Sequence, residues 1–386
     1  MRGRLWVAMV LVVVSSFSAA ASAPAGAAGS APVPPAKAWI LVDADSGAVL
    51  AGAAHHDALP PASTTKLMTA LVAVEKLPRE AVFTVGDVAA AQPAMRIGMR
   101  TGQGWALSPA LHSLLMVSAN DAAYALAEAA SGSLGGFATD MNAAAARYGM
   151  RDSTFNDPAG FDDSASFQGG SRVSAYDLAI AARNVLAVPE LVAIAALPEY
   201  GFQGPSGRQH RLLNHNKLLR RYPGAIGLKT GYTRRAGHTF VGAARRDGRT
   251  MIAVVLNTDD TYGSAASLLD HGFATAPGDP GIGERLPEPR VRPNQGAIEA
   301  TLVQNSEEAV EGSAGAGWLS RMTLLLLAST GGMVALRRRA EQRRRARAAR
   351  RRAMAEARRR EYQRLSDPEG WDAGCRVEVP RTYELL

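Results

Sequence analysis

Strand patterns at the two ends of one long stretch, with helical patterns between them, constrain this chain more than any other feature. "AWILVDADSGAVLAG" (Ala38 to Gly52) is two apolar runs joined by Asp43-Ala44-Asp45-Ser46-Gly47, which reads as a β-hairpin. "GHTFVGAARRDGRTMIAVVLN" reads as two further strands around Arg246-Asp247-Gly248-Arg249. Between them the apolar spacing predicts helices over Ser63–Lys76, Pro109–Ser131, Leu134–Tyr148 and Ser174–Leu186. A last helical run covers Ser264–Phe273. The pattern is that of one mixed α/β domain of about 240 residues.

The flanks of that domain differ in composition. Arg2 and Arg4, an apolar run from Leu5 to Val14 and Ala21-Ser22-Ala23 are laid out as a secretory signal peptide over residues 1–23, with an uncleaved anchor as the alternative. Residues 24–37 form an Ala/Gly/Pro/Ser spacer, the folded domain is expected over 38–276, and 277–317 is read as a Pro/Gly-rich linker. Residues 318–336, "WLSRMTLLLLASTGGMVAL", are apolar except for Arg321 near one end. Arginines follow at once, as in a transmembrane helix with a cytoplasmic tail, here 337–386. Between Arg337 and Arg364 lie 14 arginines against three glutamates, a net of +11, so a whole-chain charge of +8 leaves −3 for the rest. The basic character belongs to the tail. Contact with an anionic inner leaflet is its expected use; nucleic acid is not an expected partner, because no aromatic interleaving or fold signature accompanies the arginines.

The single cysteine, Cys375, lies past the arginine run. The exported part therefore has no disulfide, no catalytic cysteine and no Cys-based zinc site. H-E-x-x-H, G-x-S-x-G and Walker motifs are absent. His55-His56 ahead of Asp57 suggests a metal pair, but no third ligand at helix spacing accompanies it. A solvated loop is the expected reading, and neither a metal nor a cofactor is expected. The members of a Ser-His-Asp triad can lie anywhere in a sequence, and nothing here points to one.

Three short stretches remain. In "PASTTKLMTAL", Ser63 and Lys66 stand three apart, which on a helix puts the amine within reach of the hydroxyl. A shielded lysine loses its proton more readily and can act as general base; an N-capping serine with a solvated lysine fits the same letters. In "LLMVSANDAAYALAEA", Ser118 and Asn120 interrupt an apolar helical pattern, where unpaired polar groups are costly. A catalytic cleft supplies partners for them; so does an ordinary helix N-cap. In "AIGLKTGYT", Lys229, Thr230 and Gly231 follow apolar residues, consistent with a strand carrying a cation, a hydroxyl and a side-chain-free position along one edge.

The order S-x-x-K, S-x-N, K-T-G, with gaps near 50 and 110 residues, resembles the active-site signature of penicillin-recognising serine enzymes. "PASTTKLMTAL", "SANDAAYALAE", "MRDSTFNDPAGFDD" and "GAIGLKTGYTRRAGHTFVGAA" closely resemble the low-molecular-mass D-alanyl-D-alanine carboxypeptidases of peptidoglycan metabolism. "LLNHNKLL" (Leu212 to Leu219) stands where that family has a related Asn-rich segment, and the resemblance spans Ala38 to Thr275. It implies a serine β-lactamase/transpeptidase-like fold, with an antiparallel sheet flanked by helices and a helical subdomain. It implies Ser63 as nucleophile, Lys66 as its base and Ser118 as proton relay to the leaving amine. Asn120 would bind the substrate amide and orient Lys66, Lys229 and Thr230 would hold the terminal carboxylate, and Gly231 would admit the substrate backbone. The N–H groups of Ser63 and Tyr232 would form the oxyanion hole. The implied partners are stem peptides ending in D-Ala-D-Ala, β-lactam antibiotics as covalent inhibitors, and the cell membrane.

The chain departs from the family pattern in places. An arginine that often helps bind the carboxylate has no counterpart in Asn257 to Ser267, and the Pro/Gly-rich segment is too short and unpatterned for the β-rich second domain of the best-known members. A class A-type β-lactamase would need a glutamate-bearing loop, and no Glu-x-x-Leu-Asn pattern lies between Asn120 and Lys229. A non-catalytic, membrane-tethered binding protein is the competing class, and three intact motifs argue against it.

Overall fold

The computed structural model describes residues 31–294 except 94, 164 and 165. In chain order its elements are β1 (Ala36–Asp43), β2 (Val49–Ala53), α1 (Lys66–Lys76), β3 (Val82–Thr84), α2 (Asp87–Ala90), β4 (Gly104–Ala106), α3 (Leu107–Met116), α4 (Asn120–Ser131) and α5 (Leu134–Tyr148). There follow α6 (Ala175–Leu186), α7 (Pro189–Ala195), β5 (Glu199–Gln203), β6 (Gln209–Leu213), α8 (Leu218–Arg221), β7 (Ala225–Thr233), β8 (Gly237–Arg246), β9 (Arg249–Thr258) and α9 (Thr261–Ala274). Both hairpins expected from sequence form. The helical pattern over Pro109–Ser131 is broken by Val117 to Ala119 into α3 and α4. The small hairpins β3–β4 and β5–β6 were not expected; their strands are short and mostly exposed, so no apolar alternation announces them.

The main sheet is antiparallel with strand order β2-β1-β9-β8-β7. Its first and last parts meet where β1 pairs with β9, from Ala36 opposite Thr258 to Asp43 opposite Met251. Both faces are covered, so the strands read as continuous apolar runs. Ile40, Val42, Val241, Ile252 and Val254 turn toward the main helical core with Leu67, Leu71 and Ile180. Trp39, Leu41, Phe240, Met251 and Val255 face the other way, against Leu268 and Leu269 of α9. The strand β7 is left as an outer edge of the sheet, beside the turn that begins α1.

The segment expected to be linker is fastened to the body over its first part. Ile282 N–H donates to Val49 O at 2.9 Å and Leu286 N–H to Gly47 O at 2.8 Å. The buried Arg183 of α6 donates to the carbonyls of Leu286 and Pro287 at 3.3 and 2.8 Å. Asn184 Oδ1 accepts the N–H groups of Arg290 and Val291, and Asn294 N–H reaches Val74 O at 2.7 Å. Glycine and proline here mark an extended strap whose backbone bonds go to the body, which composition alone does not distinguish from a free linker. Among the described residues no single helix is long and apolar enough to cross a membrane. The expected signal peptide (1–23), the start of the spacer, the rest of the linker, the transmembrane helix (318–336) and the tail (337–386) lie outside the described residues.

Candidate active site

Ser63 lies in a single 3-10 turn, Ala62–Thr65, that leads directly into α1. The cap position of α1 is Thr65 and carries no side-chain cap bond, so Ser63 is not spent on capping. The turn is gripped from two sides. Thr64 and Thr239 (β8) both donate their hydroxyls to Pro61 O, at 2.6 and 2.9 Å. On the other side Thr69 donates to Pro158 O at 2.6 Å. Gly231 on β7 presses against the turn: a Cβ there would meet Thr239 Oγ1, come within 2.8 Å of Ser63 N and 3.1 Å of Ala62 Cβ. The glycine is required by space, and it brings the edge strand against the nucleophile.

Lys66 is completely buried. Its Nζ lies 2.9 Å from Ser63 Oγ, 2.8 Å from Asn120 Oδ1 and 2.6 Å from Ala159 O. A neutral amine has two N–H donors and one lone pair. When the amine is neutral, Asn120 and the Ala159 carbonyl can take its two donors and leave the lone pair for the Ser63 hydroxyl; when it is protonated, a third N–H goes to Ser63 Oγ. Burial lowers the Lys66 pKa well below the ordinary lysine range; the Lys229 charge pushes the same way, while Asp157 and Asp121 oppose it. Spacing three apart, across the 3-10 turn and the start of α1, therefore brings a hydroxyl against an amine whose proton is held less tightly than usual.

Ser118 sits in the break between α3 and α4 with φ +61° and is 4% exposed. The α4 cap position is Ala119, so the N-cap alternative for Ser118 does not hold. Ala119 N–H donates to Ser113 O at 3.0 Å and Asn120 N–H to Met95 O at 2.7 Å, which pins the left-handed serine on its C-terminal side. Ser118 and Ser63 line one cleft of about 350 Å³, together with Met95, Thr230, Tyr232 and Tyr262. Lys229 is 1% exposed, donates to Thr230 O at 2.9 Å, and is pushed down to about 7 by burial. Tyr232 is 60% exposed and packs on His238 at 4.6 Å. Of the expected site residues, Ser63, Ser118, Thr230, Gly231 and Tyr232 line the cleft, and the buried Lys66 lies behind Ser63 with Asn120 bonded to it.

Sequence reasoning missed the groups that hold this arrangement. The carboxylate of Asp157, fully buried, accepts the N–H groups of Ala159 and Gly160 at 2.8 Å each, and the Tyr124 hydroxyl at 2.6 Å. It thereby aims the Ala159 carbonyl at Lys66. Asp121, also buried, gathers the N–H groups of Ile97, Gly98 and Met99 at 3.1, 2.8 and 3.0 Å, fixing the loop that carries Met95. "NDPAGFDD" carries an Asx-type signal for such a turn, but not the identity of the carbonyl it orients. In "LLNHNKLL", Asn214 and Asn216 accept the N–H groups of Asn216 and Leu218, at 2.9 and 3.0 Å, and present Lys217 to the cleft. Where the family often has an arginine, Thr261 and Tyr262 of α9 line the cleft, and Lys217 N–H donates to the Tyr262 hydroxyl oxygen.

Comparison with known proteins identifies the family. The family described as D-alanyl-D-alanine carboxypeptidase matches residues 26–260. The D-alanyl-D-alanine carboxypeptidase DacB2 of Mycobacterium tuberculosis is 42% identical over 263 residues, covering 65% of this chain and 87% of that protein. DacC of Escherichia coli is 33% identical over 259 residues, and the chain spans 62% of its length. A crystal structure of a D-alanyl-D-alanine carboxypeptidase from Mycobacterium tuberculosis superposes with a TM-score of 0.59 at 37% identity, covering 64% of this chain and 94% of that one. A point mutant of the Streptomyces K15 DD-transpeptidase gives 0.58 at 26% identity, covering 63% and 100%. The match runs from ahead of β1 through the end of β9 and takes in Ser63, Lys66, Ser118, Asn120 and Lys229 to Tyr232: the chain belongs to the D-alanyl-D-alanine carboxypeptidase family of serine peptidases.

Proposed function

We propose that the chain removes the terminal D-alanine from peptidoglycan stem pentapeptides through an acyl-enzyme on Ser63. One observation carries this reading: the buried Lys66 amine lies 2.9 Å from Ser63 Oγ with its other two directions taken by Asn120 and the Ala159 carbonyl. The substrate strand pairs with the free edge of β7, its terminal carboxylate at Lys229 and Thr230. Ser63 Oγ attacks the carbonyl carbon between the two D-alanines as its proton passes to Lys66 Nζ. The oxyanion forms against the N–H groups of Ser63 and Tyr232. Ser118 passes the proton from Lys66 to the leaving nitrogen, the C–N bond breaks, and D-alanine departs. Water, deprotonated by the same lysine, then hydrolyses the ester and restores Ser63. A β-lactam acylates Ser63 by the same attack, but its ring-opened leaving group stays attached and the ester persists.

Two measurements test the reading. Penicillin-treated protein, digested and mapped by mass spectrometry, should carry the penicilloyl mass on the peptide holding Ser63. Ser63→Ala should lose both this adduct and D-alanine release from N-acyl-D-Ala-D-Ala peptides. Retention of either would defeat the mechanism.

The proposed setting is the outer side of the cell membrane, with the chain anchored by residues 318–336. Support comes from the apolar run and the arginines that follow it. Protease added to intact cells should spare the arginine-rich tail; its digestion would reverse the orientation.

A further inference from the structure

The histidine pair set aside for lack of a third ligand acquires one through the fold. His55 and His56 follow β2, and the strap brings Glu284 to them from 228 residues away in sequence. Glu284 Oε2 lies 3.1 Å from His55 Nε2 and 3.3 Å from His56 Nε2. The donor atoms of all three residues fall within 4.8 Å of one another. A tetrahedral zinc ion with ligand bonds near 2.05 Å holds its donors about 3.3 Å apart. Two of the three edges already have that length, and the third is no longer than 4.8 Å.

The surroundings are those of a ligand set. Asp152 Oδ2 sits 2.6 Å from His56 Nδ1, the carboxylate-to-imidazole contact that fixes the ring of a metal-bound histidine and leaves Nε2 for the ion. The His55 ring is packed against β2 so closely that a Cβ on Gly52 would come within 2.8 Å of its Nδ1. Of the neighbouring cations, Arg285 has its guanidinium bound to Ser46 O at 2.8 Å and Arg290 to Arg147 O at 3.1 Å. Nitrogen and oxygen donors in a two-to-one ratio, with one side open to water, suit a borderline divalent ion such as zinc better than calcium or magnesium, which take all-oxygen shells.

We infer that His55, His56 and Glu284 form a zinc site, completed by a water molecule as fourth ligand, that clamps the strap to the loop leading into the Ser63 turn. His56 is seven residues upstream of Ser63. None of the three residues lines the cleft, and the site is independent of the proposed carboxypeptidase chemistry. The ion acts as a cross-link between chain segments that are distant in sequence and adds its binding free energy to the folded state.

Chelator-stripped full-length protein, titrated with zinc alone, should bind one equivalent per chain by calorimetry and by metal counting after dialysis. At about 100 times the dissociation constant, zinc should raise the melting temperature by about 5 °C or more. Glu284→Gln, His56→Gln and Gly52→Ala should each weaken zinc binding at least tenfold, and His271→Ala should leave it unchanged. Penicillin labelling of Ser63 reports folding of each variant, and His56→Gln, at an exposed position, serves if another variant fails to label. Cobalt in place of zinc should give the absorption bands of tetrahedral coordination. Absence of one-to-one binding, or equal affinity in Glu284→Gln, His56→Gln and the wild type, would overturn the site.

Discussion

Asn120→Asp replaces one amino group by an oxygen and preserves the shape of the side chain, so it isolates the electrostatics of the base. Asn120 Oδ1 is 2.8 Å from Lys66 Nζ. A full negative charge at that distance attracts an ammonium by about 6 kcal/mol at an effective dielectric constant of about 20. The amide already contributes about 2 kcal/mol as a hydrogen bond to a charged group. The difference, about 4 kcal/mol, moves the Lys66 pKa up by about three units. Because the neutral amine is the base, acylation at a pH below both values should fall about 10³-fold, and the acid limb of the pH profile should move up by about three units. The assay is the second-order rate of acylation by a fluorescent penicillin across the stable pH range. Asn120→Ala removes an acceptor from the ammonium and should move the same limb down. If Asn120 served only to hold the substrate, both variants would lose rate by a factor independent of pH. A limb that stays in place in Asn120→Asp refutes Lys66 as the base.

Lys229 carries a second pH effect. Its folded pKa of about 7 lies below the usual 10.5, so between these values the unfolded chain binds a proton that the folded chain does not. Wild-type stability should therefore rise with pH relative to Lys229→Met, by about 2–3 kcal/mol between pH 7 and pH 9.5 in urea unfolding; a flat or falling difference contradicts the burial argument. Gly231→Ala should cost at least 10²-fold in penicillin labelling while lowering stability by only about 1–3 kcal/mol, since the new methyl group drives β7 away from the Ser63 turn; labelling within threefold of wild type would show that the strand yields freely. Asp157→Asn keeps the bonds to Ala159 and Gly160 but weakens those made by the other oxygen, and it removes a charge that favours the Lys66 ammonium. It should destabilise by about 1–3 kcal/mol and shift the acid limb down, opposite to Asn120→Asp; an upward shift would be inconsistent with the assigned charges.

The groups proposed for catalysis were legible because each needs a side chain of fixed chemistry at a fixed offset. Ser63 and Lys66 are such a pair, and Lys229-Thr230-Gly231 marks an edge strand by its own letters. The main hairpins were legible because both of their faces are buried and their apolar runs are unbroken. What escaped was whatever depends on backbone groups or on long-range meeting. The third partner of Lys66 is the carbonyl of Ala159, which any residue type could supply; only its placement by Asp157 makes it functional. The strap escaped for a related reason: its bonds to the body run through main-chain atoms and through Arg183 and Asn184, whose partners lie more than 100 residues away. Glu284 met the histidine pair by the same route.

The strap also determines how the domain bears load. Asn294 donates to Val74 O and Lys76 O, at the end of α1 opposite Lys66, about 15 Å along the helix axis. A pull on the chain beyond this point reaches the bonds of Asn294, Val291, Arg290, Leu286 and Ile282 in turn, so they peel one by one instead of shearing together. Releasing the chain from 282 to 294 frees a segment whose full extended length is about 40 Å before tension reaches α9 and the sheet. Tension on the chain would therefore be met first by the strap, and by the Ser63 turn only after it.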